Sequence, residues 1–341
     1  MKTTLSTVFL RLAFLLFFIT LLCFPADTLQ GASTGLLLWF QTVLPTLLPP
    51  MILADYLLRI GADRYVTKLT ARPLSALLGL SKDGCYGALV GFLCGYPMGA
   101  RTAASLVKER RITGQEADYL LAFSNQPSIM FLMGYLCLGL FADHDGNTLI
   151  FPLLSGIYGS AILISIFHRT GRIIHRMLCA NRRLDRTEGT FSVHHAPIGI
   201  RHTQTSDSPI HNKSADSSPL SLLESSMMTS FEVMVKIGGY MMLFSIAEAY
   251  VNKLPLLCPA AKALLMGVIE MTTGSRHIAA DIELPWSLAL CGTVTAFGGL
   301  SGLAQTAHVV QGSGLSVGRY VLWKSLQGIL TGILILLFCH P

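Results

Sequence analysis

Two arginines end similar segments in the two halves of the chain. Arg101 ends the segment GFLCGYPMGAR, and Arg276 ends the segment GVIEMTTGSR. A guanidinium presents a fork of N–H donors that matches a carboxylate or a phosphate. The pair therefore predicts a binding site for a small anion. Each arginine taken alone could instead lie at a helix end and reach lipid headgroups.

Polar side chains interrupt an apolar segment downstream of each arginine. Ser124, Asn125 and Gln126 stand directly before a proline, and Ser301 and Gln305 stand among glycines in the second segment. Polar groups without partners are costly in hydrocarbon. Mutual hydrogen bonding would satisfy these side chains, but the interpretation favoured here is that they line the same binding site.

Carboxylates inside apolar segments are candidates for ion or proton binding. Glu270 lies within the second arginine segment and is the residue to which we assign this coupling role. Glu248 and Asp55 stand near the ends of apolar runs, where they could equally lie among lipid headgroups.

Motifs for known catalytic chemistry are few. The run Gly299-Leu300-Ser301-Gly302 fits the G-x-S-G pattern of intramembrane serine proteases, but His308 stands two helical turns away from Ser301. No P-loop, zinc-protease motif or dinucleotide fingerprint occurs, and the eight cysteines form no C-x-x-C pair. We therefore expect neither an enzyme nor a cofactor or metal, and keep proteolysis by Ser301 as a weak alternative.

The composition places these residues in a membrane. The chain of 341 residues is 52% hydrophobic and 13% charged, and its net charge of +6 comes from short basic stretches between apolar blocks. The positive-inside rule explains that charge, so no nucleic-acid partner is expected.

Seven apolar runs reach the roughly 20 residues needed to cross a bilayer. They predict an all-α, polytopic membrane protein with about seven spans: 5–24, 35–58, 119–141, 148–168, 227–251, 285–310 and 319–339. The first run resembles a signal peptide but has no small-residue cleavage site, which favours a retained helix.

Two further apolar stretches, 84–100 and 263–275, are too short or too broken by glycine and proline to cross the membrane. Basic residues flank 84–100 on both sides, so both flanks should be cytoplasmic and the stretch should enter the membrane and return. Its glycines recur every fourth residue, a spacing that lets helices approach closely: Gly87, Gly91, Gly95 and Gly99.

The two broken stretches occupy matching positions in two units, which predicts an internal repeat. Counting the crossings between the units gives them opposite orientations in the membrane. Inverted repeats with interrupted segments are typical of secondary transporters that bind their substrate near the midplane. The predicted divisions are an N-terminal helix and connection (1–34), a first repeat (35–168), a basic, disordered cytoplasmic linker (169–226) and a second repeat with the C-terminal helix (227–341).

Four ordered motifs resemble the sporulation integral membrane protein YlbJ family, whose members carry nucleoside-recognition, or Gate, domains. They are GYPMGAR (95–101), ITGQEADYLLAFSNQPS (112–128), VKIGGYMMLFS (235–245) and AFGGLSGLAQ (296–305). The resemblance implies a mother-cell protein in the outer forespore membrane that transports dipicolinate, a small aromatic dicarboxylate.

Dipicolinate suits the predicted site because Arg101 and Arg276 could each neutralise one of its carboxylates. The expected partners are thus a small anionic solute and membrane lipid, with a homo-oligomer or other sporulation membrane proteins left open. Two further functions also remain open: transport of a nucleoside or another small solute, and a non-transporting scaffold of the spore envelope.

Overall fold

The part of the chain described by the computed structural model comprises residues 2–187, 218–253, 255 and 258–339. These residues form helices and connections, with no strand among them. The α-helices are α1 (Lys2–Cys23), α2 (Pro25–Leu38), α3 (Leu44–Arg59), α4 (Asp63–Leu78), α5 (Lys82–Cys94), α6 (Met98–Lys108), α7 (Gly114–Ser124), α8 (Gly146–Thr187), α9 (Pro219–Asn252), α10 (Pro259–Ile269), α11 (Met271–Asp281), α12 (Trp286–Phe297), α13 (Gly299–Val309) and α14 (Val317–Cys339). Two π-helical segments, Trp39–Val43 and Phe131–Leu140, and a 3₁₀ turn, Ala142–His144, complete the order.

Five helical segments in the described residues are long and apolar enough to cross a membrane: Pro25–Arg59, Gly146–Gly171, Pro219–Asn252, Trp286–Val309 and Val317–Cys339. A sixth arises if the pair Ala71–Leu78 and Lys82–Cys94, bent by 91°, is taken as one span. The all-α membrane class is thus confirmed. Five or six such helices among the described residues leave the predicted count of seven spans unconfirmed. Within α1, Arg11–Cys23 forms a shorter apolar helical stretch.

The predicted span 119–141 is broken in its middle. Helix α7 ends at Ser124, and Asn125 to Ser128 are not helical before the chain continues into the π-helical segment. Pro127 lacks a backbone N–H and disfavours helical geometry in the residue before it, so an uninterrupted helix is costly here. Two half-helices therefore replace one span.

Helices α5 and α6 form one short hairpin, and α10 and α11 form another. None of these helices exceeds 13 residues, or roughly 20 Å, so neither hairpin arm can cross a hydrocarbon core of about 30 Å. A Cβ atom built on Gly99 would stand 3.0 Å from Cα of Gly91, and one on Gly274 would overlap Gly267. Both hairpins therefore depend on glycine where their arms meet.

Contacts between helix ends define two ends of the molecule. Arg59 at the end of α3 donates to Thr229 near the start of α9 (3.2 Å), and Lys253 after α9 pairs with Asp27 at the start of α2 (2.6 Å). Segment α2–α3 is therefore antiparallel to α9. We call the two ends the Arg59 end and the Lys253 end.

The two hairpins open toward different ends. Hairpin α5–α6 returns to the Arg59 end, where Lys108 lines one cavity together with Thr229. Hairpin α10–α11 begins at the Lys253 end, where Lys262 Nζ donates to the carbonyl of Asn252 (2.7 Å). An inverted repeat requires opposed hairpins of this kind. The repeat itself stays a prediction.

The described helices also move the edges of the predicted linker. Helix α8 continues to Thr187 and α9 begins at Pro219, so both reach into the range 169–226. The intervening residues 188–217, in the middle of the predicted disordered linker, lie outside the described part of the chain.

Candidate functional site

Three cavities follow helix α9 from one end of the molecule to the other. The Arg101 cavity, of about 430 Å³, is lined by Arg101 and by α9 from Thr229 to Tyr240. The central cavity, of about 30 Å³, lies between the hairpin tips, and the Arg276 cavity, of about 350 Å³, is lined by Arg276 and the last part of α9. Glu232 and Glu248, in the two outer cavities, are roughly 24 Å apart along α9 at 1.5 Å per residue.

Arg101 lies in the first turn of α6, directly after the tip of the first hairpin. Its Nη1 atom is buried and has no hydrogen-bond partner among the described residues. The same cavity holds Lys108 and Lys236, whose Nζ atom is paired with Glu232 at 2.7 Å. Cationic side chains therefore outnumber carboxylates around an unsatisfied guanidinium donor.

Arg276 lies in the other outer cavity, with the Asp27–Lys253 ion pair, Glu248 and His277. The expectation that Arg101 and Arg276 neutralise one ligand together is therefore not met in this arrangement. The physical reason is the direction of the hairpins, because the arm after each tip returns to a different end of the molecule.

The hairpin tips and the breaks in the other half-helices meet around the central cavity. Tyr96, at the first tip, donates its hydroxyl to the carbonyls of Thr295 (2.7 Å) and Ala296 (3.0 Å), just before the α12–α13 break. Gly298 at this break has φ = +92° and stands against the Tyr96 ring, so a side chain there would be both strained and crowded. The first tip is thus fixed against the opposite half of the chain.

Glu270 forms the tip of the second hairpin and caps α11. Its Oε2 atom accepts from the backbone N–H groups of Thr272 and Thr273, both at 2.8 Å, and its Oε1 atom accepts from Ser301 Oγ at 3.3 Å. A side-chain oxygen that satisfies the first N–H groups of a helix is a standard N-cap. The structure therefore brings Glu270 and Ser301 together, and Gln305 lines both the central and the Arg101 cavity.

The Ser301 hydroxyl contacts a carboxylate, while His308 lines the Arg101 cavity at the far end of α13. A serine nucleophile needs a base within hydrogen-bond reach that is free to take its proton. Glu270 is already held by two backbone N–H groups, so this contact gives the protease alternative no support.

Ser124, Asn125 and Gln126 are fully buried and line none of the three cavities. Ser124 Oγ donates to the carbonyl of Leu120, and Asn125 Nδ2 donates to the hydroxyls of Tyr320 (2.8 Å) and Thr306 (3.1 Å). The predicted role of these three residues as cavity lining is therefore not seen in this arrangement. They stabilise the break after α7, since the apolar surroundings would otherwise leave them unsatisfied.

Gln126 belongs to a second buried contact, which centres on Lys324. Gln126 and Gln327 exchange two amide hydrogen bonds of 2.8 and 3.0 Å. Lys324 is fully buried, and its Nζ atom donates to Asn125 O (3.0 Å), Gln327 Oε1 (2.9 Å) and Gln126 Oε1 (3.4 Å). The ring of Tyr96 covers it, with its centroid 5.2 Å from Nζ.

The sequence analysis did not identify Lys324. Its position inside the apolar run 319–339 could have identified it, because an ionisable residue at membrane depth is a functional candidate by default. Its ammonium group faces the carbonyl end of α7, where the helix dipole favours a cation. Glu248 was likewise left undecided, yet it is only 3% exposed and contacts Thr273.

Comparison with known proteins gives one clear similarity. The chain is 24% identical to the sporulation integral membrane protein YlbJ of Bacillus subtilis (strain 168), over 98% of this chain and 83% of that protein. No family model matches the chain, and no solved structure matches it. The similarity to YlbJ extends through both hairpins and supports the family assignment that the motifs indicated.

Proposed function

Because the chain is assigned to the YlbJ family of sporulation integral membrane proteins, we propose that it transports a small anionic solute across a membrane. By resemblance, the solute is dipicolinate and the membrane is the outer forespore membrane. The observation that carries the proposal is the buried, unpartnered Nη1 of Arg101 in a cavity lined by further cationic side chains.

The Arg101 cavity suits a small carboxylate in both size and charge. Its volume of about 430 Å³ falls within the roughly 300–1,000 Å³ of small-molecule pockets. A buried donor without a partner costs about 1–3 kcal/mol, which a ligand carboxylate would recover through a charge-assisted hydrogen bond. A neutral nucleoside would leave the excess positive charge of the cavity without a counter-ion.

The central cavity supports a transport cycle rather than an open channel. With about 30 Å³ it has room for about two water molecules, so an aromatic dicarboxylate cannot pass in this conformation. The opposed hairpins on either side are the kind of element whose movement gives alternating access in transporters built from inverted repeats. In this proposal Arg101 and Arg276 bind the solute in succession, each at its own end of the path.

Uptake of radiolabelled dipicolinate into vesicles that contain only the purified protein tests the proposal. We expect uptake by the unaltered chain, a large loss in Arg101→Ala and partial recovery in Arg101→Lys, which keeps the charge but loses the planar fork. Arg64→Ala is the matched control, because Arg64 is an exposed arginine on α4 that lines none of the three cavities.

Other outcomes would contradict the proposal in distinguishable ways. Equal uptake by the chain with Arg101→Ala would remove Arg101 from the site. Competition by unlabelled nucleosides but not by dicarboxylates would favour nucleoside transport. No uptake of any solute by correctly inserted protein would favour the membrane scaffold.

A further inference from the structure

Two carboxyl groups contact the same hydroxyl between the central and the Arg276 cavity. Thr273 Oγ1 forms a hydrogen bond with Glu248 Oε2 and lies 3.1 Å from Glu270 Oε2. Glu248 and Glu270 are 3% and 1% exposed. They reach Thr273 from different elements, because Glu248 lies on α9 and Glu270 forms the tip of hairpin α10–α11.

The contact between Thr273 and the two carboxyl groups requires that one of the carboxyl groups be protonated. A threonine hydroxyl carries one hydrogen, whereas an ionised carboxylate can only accept. Thr273 can therefore donate to one carboxyl group only, and the other contact needs a protonated carboxyl group as its donor. Two ionised carboxylates on one buried hydroxyl would also repel each other strongly.

The surroundings indicate which of the two carboxyl groups holds that proton. Both carboxyl groups are buried, but Glu270 Oε2 accepts two backbone N–H groups at the start of α11, and these donors favour ionisation of Glu270 relative to Glu248. Glu248 Oε1 is buried and has no hydrogen-bond partner among the described residues, an environment that favours its neutral form. The ground state is then a neutral Glu248 that donates to Thr273, which donates to an ionised Glu270.

Each end of this chain of hydrogen bonds leads to a cavity. His277 Nε2 lies 3.6 Å from Glu248 Oε1, and the His277 side chain is 38% exposed in the Arg276 cavity. At the other end, Glu270 and its donor Ser301 line the central cavity. We propose that Glu248, Thr273 and Glu270 form a proton relay that carries one proton from the Arg276 cavity to the central cavity.

One transfer moves one proton without changing the total charge of the relay. The O–H bond of Glu248 breaks as its proton passes to Thr273 Oγ1, and Thr273 gives its own proton to Glu270 Oε2. Glu248 is then ionised, Thr273 is again a neutral hydroxyl, and Glu270 is neutral. A proton from His277 or water in the Arg276 cavity restores Glu248.

The relay gives the transported anion a reason to move with a proton, an extension that rests on the proposed function. An ionised Glu270 beside the central cavity would repel an anion, and its protonation removes that repulsion. The other charged or titratable groups that face the relay are the Asp27–Lys253 pair, Arg276 and Tyr135. Asp27 and Lys253 neutralise each other at 2.6 Å. The carboxyl groups of the relay are therefore the proton acceptors in this part of the molecule.

Infrared difference spectra of the complete, membrane-reconstituted protein test the relay independently of transport. We expect a carbonyl stretching band of a buried carboxylic acid in the unaltered chain and its loss in Glu248→Gln. Glu224→Gln is the matched control, because Glu224 is an exposed carboxylate on the same helix, and it should keep the band. An unchanged band in Glu248→Gln would overturn the assignment of the proton.

Solute movement under an imposed pH gradient tests the coupling. We expect the unaltered chain both to exchange labelled against unlabelled dipicolinate and to accumulate it under the gradient, and we expect Glu248→Gln to lose the gradient-driven accumulation. Accumulation equal to that of the unaltered chain would overturn the relay. Absence of both exchange and accumulation in the unaltered chain would instead overturn the proposed function and leave the infrared result standing.

Two variants of the bridging hydroxyl provide a second test if Glu248→Gln folds poorly. Thr273→Ser keeps the hydroxyl and should keep gradient-driven accumulation. Thr273→Val has nearly the same shape without the hydroxyl and should lose it. Equal accumulation by the two variants would contradict a relay through Thr273.

Discussion

At the scale of single residues, Lys324 is a fully buried lysine whose Nζ atom contacts oxygen atoms of neutral groups. Its Nζ atom contacts three oxygen atoms, and all of them belong to amide groups. Burial of a charge is tolerated only when hydrogen bonds replace the lost water. The ammonium group therefore holds the break after α7 against α14.

We predict that Lys324→Met destabilises the protein although it nearly conserves side-chain volume. Asn125 O would lose its donor, at about 1–3 kcal/mol for a buried acceptor left unsatisfied, whereas Gln327 Oε1 would keep the Gln126 amide as its donor. Thermal unfolding in detergent measures the effect. Lys236→Met is the control, because that exposed lysine is in an i,i+4 pair worth about 0.3–0.5 kcal/mol. Equal shifts of the unfolding temperature in the two variants would show that Lys324 does not stabilise the contact between the break after α7 and α14.

Several single residues of the site were predictable from the sequence because their types are rare at membrane depth. Arg101, Glu270 and Ser301 do line cavities along α9. The contacts of Lys324 and Glu248 were not predictable, because each depends on residues far away in the chain. Local sequence cannot show which distant oxygen a buried charge will meet.

At the scale of elements, the hairpins depend on a close approach of their two arms. A Cβ atom on Gly99 would stand 3.0 Å from Cα of Gly91 and 3.1 Å from Cα of Asn125. Both neighbours are backbone atoms and cannot turn away as a side chain could. The four-residue glycine spacing predicted this packing, and the basic residues on both flanks of the stretch predicted its return.

We predict that Gly99→Ala lowers the stability of the protein by about 1–3 kcal/mol through overpacking. Gly239→Ala is the matched control, because a Cβ atom there has no neighbour within 4 Å and a helical alanine should stabilise by about 0.5–1 kcal/mol. Thermal unfolding of both variants measures the difference. A Gly99→Ala protein as stable as the control would contradict the close packing of the hairpin arms.

The break in the segment 119–141 illustrates the limit of hydropathy at this scale. The segment has the length and composition of a span, yet Asn125 to Ser128 interrupt it. Asn125 and Gln126 find partners on α13 and α14, more than 180 residues later in the chain. Hydropathy counts apolar residues and contains nothing about such distant partners, so it predicted one helix where the protein has two.

At the scale of the whole molecule, the two arginine cavities lie at opposite ends because the hairpins open in opposite directions. The basic segments of the first half predict, by the positive-inside rule, that the Arg59 end faces the cytoplasm. Lys253, Lys262 and Arg276 then lie on the other side, against that rule. The contacts between α2, α9 and α10 give Lys253 and Lys262 partners at the Lys253 end, namely Asp27 and the carbonyl of Asn252.

The side of the membrane on which each hairpin opens is the most direct test of the account. A variant without the eight natural cysteines would carry a single new cysteine, Glu109→Cys after α6 or Asp281→Cys at the end of α11, both at exposed positions. A membrane-impermeant thiol reagent applied to sealed vesicles should label one of these cysteines from outside and the other only after the vesicles are opened. Labelling of both from the same side would contradict opposed hairpins, and with them the path from Arg101 to Arg276.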